Sequence, residues 1–126
     1  SDAALVRDLF GSIGVAVEVA EAQMDAVTAL SGAAPAYFAA LMEALVAAGA
    51  TAGLPAPVAE ALLVQSGVGT FAMMRQTGQN PQQVRQAVCS PGGTTLAALA
   101  ALDGAGFGEA LDAAVRAAIT RAKELA

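Results

Sequence analysis

Apolar residues run through most of this chain at helical spacing, and polar residues gather at a few breaks. "EAQMDAVTAL", Glu21 to Leu30, predicts a short helix stopped near "SGAAP", where Gly32 and Pro35 interrupt the run. Pro35 suits the first turn of a long helix over Ala33–Ala52, because the missing proline N–H has no partner there in any case. "GLPAP", Gly53 to Pro57, ends that helix and opens another over Val58–Thr77, apolar nearly all round. "TGQNP" caps it, and Pro81 opens a short helix, "PQQVRQAV". After "CSPGGTT" come "LAALAALD", a "GAGFG" turn and a last helix, Phe107–Leu125. There Phe107, Leu111, Val115, Ala118, Ala122 and Leu125 share one stripe, and Asp112 and Arg116 stand one turn apart as a favourable charge pair.

The first twenty residues read differently. "SDAALVRDLFGSIG" predicts a helix with Ser1 and Asp2 as N-cap and acidic first turn, closed by glycines. "VAVEVAE", Val15 to Glu21, alternates Val15, Val17 and Val19 with Ala16, Glu18 and Ala20, the period of one short strand. A single strand is not a sheet, so it must pair with another copy of the chain or with a sheet built elsewhere. The pattern therefore divides the chain into a junction segment, residues 1–20, and an all-α domain, residues 21–126. Two long, almost wholly apolar helices are more than so small a monomer can cover, which predicts burial against a second copy.

Composition sharpens this. The chain has 126 residues, one domain by length, and is 56% hydrophobic but only 4% aromatic, a balance that favours close-packed helices over a sheet-rich core. A net charge of −5, with no Lys or Arg between Arg7 and Arg75, leaves no basic surface for nucleic acid. The apolar run Ala33–Leu54 is long enough to span a bilayer. Glu43 sits at its middle, where a carboxylate costs roughly 2.5–3.5 kcal/mol on insertion, and no basic residue flanks it, so a buried helix is the better reading. One cysteine, Cys89, excludes an internal disulfide and fits a reducing compartment, and no charged-then-apolar signal opens the chain.

The chain contains no histidine. That removes the usual serine and cysteine hydrolase systems and the commonest zinc ligand, so no metal site is expected. "GVGTFA", Gly67 to Ala72, matches a dinucleotide fingerprint by letters, but it lies inside a helical run with no strand before it. Its glycines are better read as close-contact positions between helices. "SPGGTT", Ser90 to Thr95, has the right context for a ligand: Pro91 fixes the approach, and Gly92 and Gly93 permit backbone closed to other residues. Thr94 or Thr95 then opens a helix whose free N–H groups and dipole attract a small carboxylate. The plainer alternative is a threonine N-cap after a turn. Glu21, at the start of the first domain helix, can orient an ammonium or imine nitrogen or simply be a solvated helix-start residue. Cys89 lacks a basic neighbour and reads as a small buried apolar residue, Glu43 as solvated or interface-paired, and Tyr37 as an anchoring core residue with its hydroxyl paired.

Taken together, "MDAVTALSGAAPAYFAALMEALVAAGATAGLP" and "QTGQNPQQVRQAVCSPGGTTLAALAALDGAGF" closely resemble the C-terminal domain of the pyrroline-5-carboxylate reductase family. The family's usual forms are "DAVTxLSGSGPAY" and "VxSPGGTTxxxLxxLExxGF", and the similarity runs from about Val15 to the end. The resemblance implies a cytoplasmic oxidoreductase that reduces 1-pyrroline-5-carboxylate to L-proline with NADPH or NADH. It implies an interlocking helical dimerisation fold of the 6-phosphogluconate dehydrogenase C-terminal kind, a homodimer open to higher association, and a nucleotide held mainly by a preceding Rossmann domain. The strand then belongs to the junction with that domain, and the chain alone is expected to dimerise without catalysis. By the same resemblance the SPGGTT amides and hydroxyls hold the substrate carboxylate, with Thr94 and Thr95 the matching positions and Ser90 and Gly93 lining the pocket, Glu21 is an acidic substrate contact, and Thr95 is the candidate to assist protonation of the ring nitrogen. Ala33 and Ala34 replace the second small pair of "SGSGPAY", and Ala87 stands where relatives often carry a nucleotide-touching amide. The alternative class is a stand-alone helical dimerisation module that kept the fold without the chemistry.

Overall fold

The structure is a computed structural model and describes residues 2–125. Helix α1 spans Asp2–Gly11, and an extended connector leads to a single turn of 3-10 helix at Glu21–Gln23. Helix α2, Met24–Val27, passes through a π-helical turn, Thr28–Gly32, into α3, Ala34–Thr51. Then follow α4 (Ala56–Thr77), α5 (Pro81–Ala87), α6 (Thr94–Gly104) and α7 (Phe107–Leu125). The all-helical expectation holds, and the last helix has the predicted bounds. The N-cap assigned to Ser1 lies outside the described residues.

Local chemistry explains where these helices stop. Gly78 ends α4 in the left-handed region at φ +70, its N–H donating to the Met74 carbonyl at 2.9 Å. Asn80 and Gln83 then cap α5 reciprocally: the Gln83 N–H donates to Asn80 Oδ1 and the Asn80 N–H to Gln83 Oε1, both at 2.9 Å. On α7 the Arg116 Nε donates to Asp112 at 2.7 Å, the pair expected from spacing.

Two expectations are corrected. Residues 15–20 form no strand: they take no regular structure and pair with nothing among the described residues, and Val15 and Val17 stand exposed. A strand needs a hydrogen-bonded neighbour as well as alternation, and none lies within residues 2–125. What holds the connector is α1, through an exposed Arg7–Glu18 ion pair. The second correction concerns "SGAAP". Gly32 and Pro35 do not separate two helices, because the chain widens into a π turn closed by Ala33 N–H to the Thr28 carbonyl at 3.2 Å. The Ala29 carbonyl accepts the Tyr37 hydroxyl at 2.9 Å, and Pro35 sits in the first turn of α3, where its missing donor costs nothing. Glu21–Thr51 is thus one nearly unbroken helical run, the one such run among the described residues that is long and apolar enough by length and composition to cross a membrane.

Packing is local and open. Helices α3 and α4 lie side by side, close enough that a Cβ at Gly49 would sit 3.5 Å from the Ala59 Cβ, and the Phe38 and Phe71 rings meet at 5.2 Å. Helix α7 packs on α2 and the π turn, α6 packs on α7, and α5 packs on α4. Ala29, Ala59 and Val84 are the only buried apolar residues among those described. Leu41, Leu45, Leu62, Val64, Val68 and Phe71 are all exposed, so α3 and α4 are not buried within one protomer, and Gly67 and Gly69 touch nothing. The protomer exposes 9619 Å², against about 6,100 Å² for a compact monomer of this mass. The excess, roughly 3,500 Å², is several times the ~800 Å² each partner contributes to an interface of standard size.

Two outcomes follow from this packing. Thermal unfolding followed by circular dichroism shows a midpoint that rises with protein concentration, because stability is drawn from a second copy. Tyr37→Phe leaves the Ala29 carbonyl without its donor and lowers stability by about 1–2 kcal/mol in urea denaturation at fixed protein concentration.

Candidate functional site

The site is a turn followed by a helix start. Ser90, Pro91, Gly92 and Gly93 form a β-turn in which the Gly93 N–H donates to the Ser90 carbonyl at 3.0 Å. Proline supplies the fixed φ of the second place, and Gly92, at φ +70, supplies the left-handed third place that a side chain would strain. Gly93 is the N-cap of α6, extended at φ −78 and ψ 165, and no side chain caps the helix. That settles one alternative: neither threonine is the N-cap, since Thr94 and Thr95 already occupy the first helical positions.

This arrangement leaves donors free. The Ala97 N–H is the first to reach back, to the Gly93 carbonyl at 3.4 Å. The amides of Thr94, Thr95 and Leu96 therefore have no helical acceptor, and neither threonine hydroxyl has a partner among the described residues. All three residues are exposed. Three free N–H groups at the positive end of a helix, beside two hydroxyls, can hold a carboxylate. In open water the dipole contributes about 0.3–1 kcal/mol, so strong binding needs the site to be dried by something that covers it.

Gly93 lies tight against Ser90. A Cβ built on it would lie 2.5 Å from Ser90 Oγ and 3.1 Å from the Ser90 carbonyl. The Ser90 hydroxyl thus rests against the Gly93 backbone, a contact that spacing alone does not reveal. Cys89, just before the turn, is half-buried and lines an open cleft with Arg85, Gln86, Leu96 and Leu99.

Glu21 is placed elsewhere. It opens the 3-10 turn, exposed, with the Ala20 N–H donating to Gln23 Oε1 at 2.9 Å beside it. That turn touches α2 and makes no contact with α6, so one protomer does not bring Glu21 to the Ser90–Thr95 cradle. Gly67–Ala72 lies in mid-α4, where the amides are spent on the helix, and offers no phosphate loop. No cluster of metal-ligating side chains occurs among the described residues.

Comparison with known proteins places this geometry. Residues 21–125 match the family model for pyrroline-5-carboxylate reductase dimerisation. The chain is 45% identical over 122 residues to a pyrroline-5-carboxylate reductase of Synechocystis, covering 97% of this chain and 46% of that protein. A reductase of the same name from Corynebacterium melassecola is 44% identical over 120 residues, covering 95% of this chain and 44% of that protein. Among solved structures, the pyrroline-5-carboxylate reductase of Coxiella burnetii superposes with a TM-score of 0.92 at 37% identity, covering 99% of this chain and 47% of that one. The NADP-bound pyrroline carboxylate reductase of Plasmodium falciparum gives 0.84 at 35% identity, covering 98% of this chain and 50% of that one. The chain spans about half the length of the relatives it matches. An all-helical chain with a free-amide cradle at one helix start and a large uncovered apolar surface thus belongs to the pyrroline-5-carboxylate reductase family, and its residues 21–125 correspond to that family's dimerisation domain.

Proposed function

We propose that this chain is the dimerising and substrate-holding part of an enzyme that reduces 1-pyrroline-5-carboxylate to L-proline with NADPH or NADH. The observation that carries the reading is the α6 start, where the amides of Thr94, Thr95 and Leu96 are free and exposed. The substrate is a small cyclic imine with one carboxylate, and its demands match what this end of the chain offers.

Reduction of a C=N bond takes a hydride at carbon and a proton at nitrogen, and the nicotinamide supplies the hydride when bound. The described residues do not fit a dinucleotide, since the one glycine pattern that spells its fingerprint is helix interior. The nucleotide is held mainly by residues other than these. What this chain does is neutralise and orient: the three amides and the Thr94 and Thr95 hydroxyls fix the carboxylate, with Ser90 and Gly93 shaping the turn beneath it. Fixing the carboxylate fixes the ring, and with it the face offered to the hydride. To Thr95 Oγ we assign the hydrogen bond to the ring nitrogen as it gains its proton. Glu21, remote from the cradle in one protomer, meets substrate only if a neighbouring copy or domain brings it there. The working unit is a homodimer, able to associate further, in the cytoplasm. It has no role at membranes or on nucleic acid, in keeping with its net charge of −5 and its exposed apolar helices reserved for a second copy.

Two substitutions in the complete reductase test the reading. Gly93→Ala keeps an allowed backbone but crowds Ser90, and is expected to raise KM for the imine about tenfold or more while helicity is unchanged. Thr95→Val is expected to lower kcat/KM by about 10–100-fold, the cost of a hydrogen bond to a charged group, with Thr95→Ser retaining most activity. Unchanged kinetics in Thr95→Val would remove Thr95 from the mechanism, and unchanged KM in Gly93→Ala would sink the cradle itself.

A further inference from the structure

Helix α4 carries a stripe that the protomer leaves uncovered. Glu60, Val64, Val68, Phe71 and Arg75 recur every three or four residues, so they share one face, and all five are exposed. Phe71 meets Phe38 of α3, yet about half of it remains in water. Beside the stripe, a Cβ added to Gly67 would meet nothing, so no packing within the protomer calls for a glycine there, and glycine inside a helix weakens it relative to alanine. Where α4 lies on α3, Glu60 and Glu43 line one open groove whose other walls include Met42, Val46 and Ala50. Neither carboxylate has an ion-pair partner among the described residues, and neither has Arg75.

The stripe is balanced about its middle. Glu60 stands as far before the Gly67–Val68 bond as Arg75 stands after it, and Val64 as far before as Phe71 after. Two copies laid antiparallel, with this midpoint on a two-fold axis, set Glu60 opposite the partner's Arg75 and Val64 opposite the partner's Phe71, each pair made twice. Gly67 then sits at the crossing, where the absent side chain lets the axes close to the near end of the ordinary spacing of roughly 8–10 Å. The charge pairs lie about 11 Å along the axis from the crossing, where helices inclined at about 20° have parted by only ~4 Å, within the reach of Glu and Arg side chains. The arriving guanidinium also enters the groove that Glu43 lines. A parallel arrangement sets like charges together at both ends, and an antiparallel slide of one turn sets Glu60 against Phe71 or Arg75 against Val64.

We propose that two copies meet through this face of α4, antiparallel, with the two Glu60–Arg75 pairs fixing the register and selecting a like partner. This rests on the dimerising function proposed above and adds to it a surface, an orientation and a means of rejecting a mismatched chain.

The test is charge reversal in the complete reductase, with the dimer dissociation constant read by sedimentation. Glu60→Arg or Arg75→Glu alone turns both pairs of a homodimer into like-charge contacts, whereas mixing the two variants restores both pairs in a heterodimer. Each single variant is expected to raise the dissociation constant at least about tenfold, the equal mixture and the double variant to return it to the wild-type value, and about 1 M salt to shrink the difference. If circular dichroism shows lost helix, Glu60→Gln and Arg75→Gln replace the reversals. Each then weakens the dimer to a similar degree, and the double substitution is no worse than either alone. Single variants that dimerise as the wild type does, or that weaken with no recovery on mixing, overturn the α4 register and leave the proposed function standing. A wild-type reductase that stays monomeric at every concentration overturns both.

Discussion

The constraint on which this structure turns is an imbalance of surface. A chain of this size can bury a core, yet Ala29, Ala59 and Val84 are all that the described residues bury, while leucines and phenylalanines line the outside of α3 and α4. Apolar area left in water opposes folding at roughly 25 cal/mol for each square ångström that could have been covered. A sequence that carries such helices is stable only when their faces meet another surface. Membership of a dimerisation family names that use for them. The alanine content follows from the same constraint, since small side chains let helices approach closely, as Gly49 and Ala59 do between α3 and α4.

Much of this was readable from residue order. Pro81 after Asn80, with Gln83 three places on from the cap, spells a helix start, and the reciprocal cap is there. Gly92 and Gly93 before two threonines spell a turn and a helix start, and the turn has its proline and its left-handed glycine in place. The stripe from Phe107 to Leu125 set the last helix to the residue. These features are legible because each depends on neighbours within four positions.

Other features are set by partners distant in sequence. The alternating valines at 15–19 spell a strand, but pairing is a property of a second strand, which letters at 15–19 do not contain. Gly32 and Pro35 look like a break; the π turn survives them because Tyr37, eight residues beyond Ala29, supplies the donor that the widened turn lacks. Within the site, the threonines were candidates for the cap, but Gly93 takes that position and leaves their hydroxyls free. The contact of Ser90 Oγ with the Gly93 backbone depends on the turn having closed, and closure is a three-dimensional fact.

A chain without histidine, with one cysteine and, among the described residues, no cluster of side chains suited to a metal carries few groups for acid–base or nucleophilic work. That poverty fits the proposed reaction. Imine reduction with a bound hydride donor needs the substrate held at one angle and its charge balanced, and little else from this part of the protein. Backbone amides at a helix start serve that purpose better than a lysine or arginine: they are fixed in direction, carry no conformational entropy of their own, and leave no free charge when the ligand departs. Their weakness is exposure, since a helix end in open water holds an anion loosely. A site of this kind becomes effective when a covering surface excludes water, and this chain carries a large uncovered apolar surface, chiefly on α3 and α4.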